Sequence, residues 1–474
     1  MVYSLIPNVR ALRLVYFGSD QYSLTHLRAL TEDPKFVGRT RVEHVVTANE
    51  RTPVAAYCAE NRLAYSVWPR DSPNVVPSLI RRIRERQQAA SNDEIDDCRE
   101  DKKLLGLIVS FGRFLPLDLV AAHGYGCINI HPSLLPRWRG PCPLVHTVLV
   151  GDEMTGISVI QLPACKHTFD SGSVIYQRSV PLQFDRFNPY NTKQLREYLS
   201  AYSIQAMFEV IHHRHYLISE REAISQRTIE DRTGLSVLHA CRPTREMGHI
   251  DWAHQTADEI VRLFHALSDT TIPLTTQMTI GSNERSDTVA DISLANGSPL
   301  LVPSPRRPIP TTVGNQLHEA ALLLANLPLE FPPGGLVYLR TQLRSNHPLL
   351  PFAFIACKSD ELSSDGGRTS WIAVPGFRLR WPSSSDRTRS LTAVDFYNGY
   401  LTESESMDRS RAYRLPRGIH VFRGFRSLHN PFWPLPQPWT NKVDPIGVTT
   451  HTLSSPETTN LAVNPDVNIC ASKK

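Results

Sequence analysis

Two short runs, Leu104–Phe111 (LLGLIVSF) and Cys127–His131 (CINIH), are apolar with almost no alternation. A strand with one face in water alternates polar and apolar side chains. A run that does not alternate is buried on both faces, as in a parallel sheet covered by helices on either side. The neighbouring sequence agrees. Arg13–Gly18 is a short apolar run ending in glycine, and Leu24, Leu27 and Leu30 after it lie at helical spacing, the opening of a βαβ unit. Val42–Thr47 and Ala64–Trp68 read as strands and Pro53–Asn61 as a helix, with further strands at Thr155–Leu162 and Gly172–Val180. Leu195, Leu199, Tyr202, Ala206 and Val210 mark an amphipathic helix over Thr192–Val210. Such alternation predicts an open α/β sheet up to about residue 215. Sheets of this kind bind ligands outside the carboxyl ends of their strands, so chemistry is expected just after those ends.

The second half reads differently. Ser219–Gly248 is polar and mixed in charge, as a linker would be. Thr256 followed by Glu259 has the spacing of a capping box, and Ile260, Leu263, Phe264 and Leu267 give that helix a buried face. Short strand-like runs follow at Met278–Ile280, Thr288–Ile292, Leu336–Leu339, Phe352–Cys357 and Trp371–Val374, broken by Pro, Gly and Ser. Short, frequently broken strands predict a small barrel. Many of the 36 prolines cluster at Leu301–Pro310, Pro328–Pro333 and Pro431–Pro438, which predicts long loops. Asn92–Lys103 reads as a polar inserted loop, and Asn430–Lys474 as a disordered tail.

The formal net charge is only +5, but it is unevenly spread. Arg368–Arg426 holds eleven arginines against five acidic residues. Charge alone leaves two readings of that excess, a phosphate-binding surface or a solvated one. The eight cysteines contain no Cys-x-x-Cys pair, so neither zinc nor a redox dithiol is implied, and a reducing compartment fits. His212, His213 and His215 end a helix with no second ligand motif nearby, and no metal is expected there. No apolar run approaches the roughly 18 residues of a membrane span.

The stretch that carries chemistry is Gly126–Gly140, GCINIHPSLLPRWRG. With period-two alternation Asn129 and His131 point to the same side of a strand end, and Pro132 then turns the chain. Asp170 follows in Thr168–Gly172, a tight loop between two strands. An amide can donate to a developing oxyanion, an imidazole can hydrogen-bond or move a proton, and a carboxylate can orient the imidazole or deprotonate an attacking amine. By residue type alone these are also ordinary strand-end and turn residues.

INIHPSLLPRWRG, followed by TGISVIQL and FDSG, resembles the signature of the folate-dependent formyltransferases. VYFGSDQYS (Val15–Ser23) and LIVSFGRFLP (Leu107–Pro116) are similar to that family's first strand and folate-side loop. IDWAHQTADEIVRLFHAL (Ile250–Leu267) and SLTAVDFYNGYL (Ser390–Leu401) resemble the C-terminal domain of methionyl-tRNA formyltransferases, most of all the mitochondrial type. The resemblance implies a Rossmann-like α/β formyltransferase domain over residues 1–218, a linker over 219–248 and an OB-like β-barrel over 249–429 that meets tRNA. It implies formyl transfer from 10-formyltetrahydrofolate to methionyl initiator tRNA, without a metal, by a monomer in the mitochondrial matrix and away from any membrane. Asn129, His131 and Asp170 match the family's catalytic set. Phe111, Gly112, Arg113, Phe114 and Leu115, with Ser133, Leu134, Leu135, Pro136 and Gly140, would surround the donor. Arg51, Arg378, Arg380, Arg387 and Arg389 would meet tRNA.

One departure stands out. Where bacterial members carry a long basic loop after the second strand, this chain has only Ala48–Thr52, with Arg51 its single basic residue. Three other readings stay open at this level. Another folate formyltransferase, acting on a small amine such as a nucleotide sugar or glycinamide ribonucleotide, is opposed by the C-terminal likeness. A dinucleotide oxidoreductase is opposed by Gly18-Ser19-Asp20, which lacks the Gly-x-Gly-x-x-Gly turn. A non-catalytic RNA-binding relative is opposed by the intact Asn, His and Asp.

Overall fold

The computed structural model describes residues 11–68, 75–89, 103–163, 169–182, 187, 189–213, 217, 223–280, 288–303, 315–325, 331–339, 350–359, 369–380, 388–398, 413–414 and 435–439. The first part is a seven-stranded sheet in the order β3-β2-β1-β4-β5-β6-β7. Its strands are β1 (Leu12–Phe17), β2 (Thr40–Thr47), β3 (Tyr65–Val67), β4 (Leu104–Val109), β5 (Cys127–His131), β6 (Met154–Gln161) and β7 (Ser173–Pro181). Strands β1 to β5 pair in parallel, and β6 and β7 add two antiparallel strands to the β5 edge.

All six residues of β4 are buried, as its unbroken apolar run requires. Leu105, Leu107 and Val109 join the core on one face of the sheet, while Leu104 and Ile108 join the core on the other. In β1, Leu14 and Tyr16 divide from Val15 and Phe17 in the same way. This is the period-two geometry of a strand with no wet face. The strand order reverses between β1 and β4, so the crevice at their carboxyl ends lies between Gly18–Asp20 and the loop from Ser110. Asp20 ties the two together. Its Oδ1 caps helix α1 (Gln21–Glu32) by accepting from Ser23 N at 2.9 Å, and its Oδ2 accepts from Ser110 Oγ at 2.5 Å.

Beyond the first sheet the chain builds a five-stranded and a four-stranded antiparallel sheet, ordered β10-β13-β12-β11-β16 and β15-β14-β9-β8. The strands are β8 (Thr275–Ile280), β9 (Thr288–Ala295), β10 (Leu300–Leu301), β11 (Leu336–Leu339), β12 (Ala353–Cys357), β13 (Ser370–Val374), β14 (Gly376–Arg380), β15 (Arg389–Thr392) and β16 (Tyr413–Arg414). Only Pro375 separates β13 from β14, so the chain passes from one sheet to the other at a single corner. Ile292, Phe377 and Leu391 from the smaller sheet and Tyr338, Ile355 and Ile372 from the larger are buried in one core. The helix Ala257–Leu267 carries the expected capping box between Thr256 and Glu259. It packs on the first domain, where Arg262 Nε donates to the Leu149 carbonyl at 3.2 Å.

Two segments depart from what their composition implies. The stretch read as a linker contains a helix, Gln226–Thr233, and a bridge from Ile224 to Val174 that adds it to the edge of the first sheet. The reading of Asn430–Lys474 as a disordered tail is corrected at Leu435–Trp439, which is docked on the first domain. Trp439 N donates to Asp152 Oδ1 at 2.8 Å, and Glu153 N donates to the Trp439 carbonyl at 3.0 Å. The physical reason is that Leu435 and Trp439 each enter an apolar cluster, and a polar average over 45 residues hides two such anchors. The remainder of that tail, the N-terminal residues 1–10 and most of the three insertions at 92–103, 303–312 and 340–350 lie outside the described residues.

Candidate active site

β5 delivers Asn129 and His131 to the carboxyl edge of the sheet, and the chain then runs through Pro132 into the loop Ser133–Gly140. That loop is fastened along its length. Ser158 Oγ donates to the Ser133 carbonyl at 2.7 Å and accepts from Leu135 N at 3.1 Å. Ser133 Oγ donates to the Arg137 carbonyl at 2.8 Å. The Arg137 guanidinium then meets the buried carboxylate of Asp152, with Nη2 to Oδ1 at 2.6 Å and Nε to Oδ2 at 3.0 Å. The Trp138 indole donates to the same Oδ2 at 2.7 Å. Buried ion pairs persist when further hydrogen bonds fill the remaining lone pairs, which is the arrangement here.

Asp170 enters from the turn between β6 and β7 and meets the β5 pair. Asn129 Nδ2 donates to its Oδ1 at 2.9 Å, and the Gly140 N–H donates to its Oδ2 at 2.9 Å. His131 Nδ1 stands 3.7 Å from Oδ1, close enough for ion pairing but beyond hydrogen-bond length. The His131 ring is oriented by Trp138, whose carbonyl lies 2.8 Å from Nε2. A carbonyl only accepts, so neutral His131 carries its proton on Nε2 and its lone pair on Nδ1, beside Asp170. The carboxylate and imidazole side chains are only 12% and 5% exposed, so charges that develop there are little screened.

Both loops of this junction depend on unusual backbone. Asp170 has φ 53° and Gly140 φ 108°. Aspartate is among the few L residues that enter the left-handed region readily. At Gly140 a Cβ would sit 2.9 Å from the Ala240 carbonyl, so only glycine brings this N–H to the carboxylate. The segment read as a linker supplies the rest of the support. Gln226 Nε2 donates to the carbonyls of Asp170 at 2.6 Å and Gly172 at 2.8 Å, and its Oε1 accepts from Arg139 Nε at 2.7 Å.

Asn129, His131 and Asp170 are thus brought together. The residues expected around a donor are placed less uniformly. Phe111 and Leu115 are buried, Phe111 edge-on to Phe17 and Trp68, while Gly112 (φ 68°) turns the chain between them. Arg113 and Phe114 are exposed, and Phe114 meets exposed Phe169, the neighbour of Asp170, edge to face at 5.2 Å. The side chains of Ser133, Leu134, Leu135 and Pro136 point inward and support the loop. Leu135–Pro136 is a cis peptide bond. Trp138, Gln226 and Asp152 were not singled out from sequence. Only Trp138 lay within the motif, and nothing in residue type marks it as the residue that orients His131.

Among the arginines expected to meet tRNA, Arg378 and Arg380 project from the exposed face of β14. Arg389 pairs in register with Leu379, a buried residue, so it starts from the opposite face at the sheet edge, though it is itself exposed. Arg51 is exposed in the turn before helix Pro53–Glu60, and Arg387 lies outside the described residues. Among the described residues no group of three or more His, Cys, Asp or Glu is placed to hold a metal ion, and no helix is long and apolar enough to cross a membrane. His215 of the histidine group lies outside the described residues.

A family model described as formyl transferase matches residues 15–206. The chain is 28% identical over 396 residues to the mitochondrial methionyl-tRNA formyltransferase of Homo sapiens, covering 82% of this chain and 78% of that one. It is 26% identical over 397 residues to the Bos taurus protein of the same name, with coverage of 82% and 77%. Against the methionyl-tRNA formyltransferase of Anaplasma marginale it is 31% identical over 182 residues, 36% of this chain and 52% of that one. A glycinamide ribonucleotide transformylase from Geobacillus kaustophilus superposes with a TM-score of 0.34 at 22% identity, over 43% of this chain and 97% of its own.

Proposed function

Residues 15–206 are a formyl transferase domain, and from this premise we propose that the chain transfers a formyl group from 10-formyltetrahydrofolate to the amino group of methionyl initiator tRNA. The observation that carries the reading is the meeting of Asn129, His131 and Asp170 at the carboxyl end of β5. In the reaction the amine nitrogen adds to the formyl carbon, the bond from that carbon to N10 of the folate breaks, and one proton moves from the amine to the departing N10. Asn129 has a second amide hydrogen, which is available to the formyl oxygen as negative charge builds there. The lone pair on His131 Nδ1 is the ring's free base, and it stands 3.7 Å from the Asp170 carboxylate, which can orient the ring. These three residues are the catalytic set of this reading, with Trp138 and Gln226 as positioning residues.

The donor is assigned to the carboxyl edge of the sheet, between the loop after β4 that carries Gly112, Arg113 and Phe114 and the loop to Gly140 after β5. Buried Phe111, Leu115 and Ser133–Pro136 shape these loops from behind. The second domain reads as an OB-like barrel for tRNA over residues 249–429, after a formyltransferase unit over 1–218. Its support is the corner at Pro375, where two small antiparallel sheets share one core. Arg378 and Arg380 give that domain a basic face, and exposed Arg51 stands near the first domain's sheet edge. The mammalian relatives support a mitochondrial location. Asn129, His131 and Asp170 meet within one chain, so this reading is of a monomer and needs no second copy.

The test is purified protein with 10-formyltetrahydrofolate and methionine-charged initiator tRNA. Formylmethionyl-tRNA and free tetrahydrofolate should appear in equal amounts. Transfer to glycinamide ribonucleotide or an amino sugar, with none to the tRNA, would refute the acceptor. No transfer to any amine would refute the activity.

A further inference from the structure

The last described segment, Leu435–Trp439, lies against the back of the loop that follows His131. Its contacts converge on one carboxylate. Asp152 is 1% exposed, and each of its oxygens accepts two hydrogen bonds. Oδ1 accepts from Arg137 Nη2 at 2.6 Å and from Trp439 N at 2.8 Å, and Oδ2 accepts from Arg137 Nε at 3.0 Å and from the Trp138 indole at 2.7 Å. Arg137 Nη2 also donates to the Gln437 carbonyl at 3.0 Å, so the segment grips both members of the ion pair. Leu435 packs in the cluster of Trp138, Val150 and Ala240, and Trp439 in that of Leu134, Leu135 and Ile229. The loop is therefore held at both ends of its bend by side chains from beyond the barrel strands. Pro436 and Pro438 restrict the backbone to extended shapes, which lowers the entropy lost when the segment docks.

We propose that Leu435–Trp439 is an intramolecular strap that seats His131, with Trp439 and Asp152 as positioning residues. This rests on His131 being catalytic, as above. The path has three links: the strap closes the Asp152–Arg137 pair from water, Asp152 fixes the Trp138 indole, and the Trp138 carbonyl fixes Nε2 of His131 at 2.8 Å. A buried pair that loses one of its hydrogen-bond donors and its apolar cover admits water and loosens. The loop would then hold its place in the sequence but lose its single orientation.

Full-length Trp439→Ala is the test, and Trp439→Phe its control. The Trp439 indole N–H has no hydrogen-bond partner among the described residues, so phenylalanine retains the apolar cover. Two readouts are taken: steady-state formyl transfer, and amide hydrogen exchange of residues 133–140. Misplacement of a reacting group by about 1 Å can lower a rate by roughly a hundredfold, so kcat should fall by about ten- to a hundredfold in Trp439→Ala. KM for the tRNA should stay within about twofold, since the loop Ser133–Gly140 bounds the donor site and not the basic face of the second domain, so the loss in kcat decides. Exchange over 133–140 should quicken in Trp439→Ala and stay near wild type in Trp439→Phe. Unchanged kcat overturns the proposal, whether or not exchange quickens. A raised KM with unchanged kcat also overturns it, because the segment would then serve substrate binding. If wild-type protein transfers no formyl group, the catalytic reading fails by itself, and unchanged exchange in Trp439→Ala separately refutes the strap. Should the alanine variant not fold, Trp439→Leu is judged by the same outcomes.

Discussion

Asn129 and Asp170 are joined by a 2.9 Å hydrogen bond from the amide to the carboxylate across 41 residues of chain. A carboxylate accepts only, so the bond sets which end of the amide is nitrogen. One amide hydrogen is spent on Asp170 and the other points away, ready to donate elsewhere. Removing one oxyanion donor lowers turnover by about 10²–10³ in comparable sites, and Asn129→Ala is expected to lose that much kcat with folate binding retained. Steady-state turnover at saturating substrates, with fluorescence titration of a folate analogue, measures both. A near-normal kcat would remove Asn129 from the catalytic set, and the same measurement on His131→Ala, with the same loss expected, applies to His131.

Asp170→Asn isolates charge from shape. Asparagine tolerates the left-handed backbone of φ 53°, so the turn should survive. The amide brings no charge to the site, and its NH₂ would oppose either the Gly140 N–H or the Asn129 amide. A loss of at least about a hundredfold in kcat is expected across pH 6–9, in the range that positioned acid–base groups contribute. Wild-type activity over that range would return Asp170 to the status of a turn residue.

Gly140→Ala should be worse than its size implies. The new Cβ meets the Ala240 carbonyl at 2.9 Å in a conformation of φ 108° that suits only glycine. Strain of this kind costs about 1–3 kcal/mol, and relieving it must move the N–H away from Asp170. Lower stability in urea together with lower kcat is expected. Full activity with wild-type stability would show that the loop has slack.

Acid should weaken the fold through two histidines remote from the chemistry. His26 and His123 are buried, and burial lowers both from the usual 6.5 to about 4. Their protons bind the unfolded chain first, so their stabilising effect is complete above pH 6.5 and declines as pH falls toward 4. Within that window each contributes a slope of about 1.4 kcal/mol per pH unit. Urea midpoints from pH 7.5 to 4.5 should show the decline, and His26→Gln should be less stable at pH 7.5 yet have a shallower slope. An unchanged slope would mean that His26 is charged in the folded protein.

Arg378 and Arg380 lie together on the exposed face of β14, whereas Arg389 starts from the other face. Each phosphate contact removed lowers the salt slope of binding by roughly 0.7–0.9. Replacing Arg378 and Arg380 together by alanine should raise KM for tRNA and flatten its salt dependence by nearly twice that amount, while Arg389→Ala has a smaller effect. Folate affinity should not change. An unaltered slope in the double variant would place tRNA elsewhere.

The sheet was legible because burial on both faces leaves an uninterrupted signature, as in β4, and because Asn129 and His131 lie two apart on one strand. Asp170 was legible as a turn residue beside Ser171 and Gly172. What escaped were supports whose partners are distant in sequence. Gln226 is a polar residue in a polar stretch, and nothing local distinguishes it from a solvated linker residue. Its value comes from two carbonyls more than fifty positions earlier. The helix Val75–Ala89 and the pair β14 and β15 were also missed, since alternating arginines in GFRLR resemble a solvated surface as much as a strand with one buried face.

Arg137 and the Gln437 carbonyl are bonded at a separation of 300 residues. At a synthesis rate of about 5–20 residues per second, Arg137 emerges from the ribosome roughly 15–60 s before Gln437. In that interval the sheet beneath can form while Asp152 still lacks its last donor. The loop Ser133–Gly140 is therefore completed in time as well as in space, and a nascent chain whose translation stops before Trp439 carries Asn129, His131 and Asp170 without the segment that docks behind that loop.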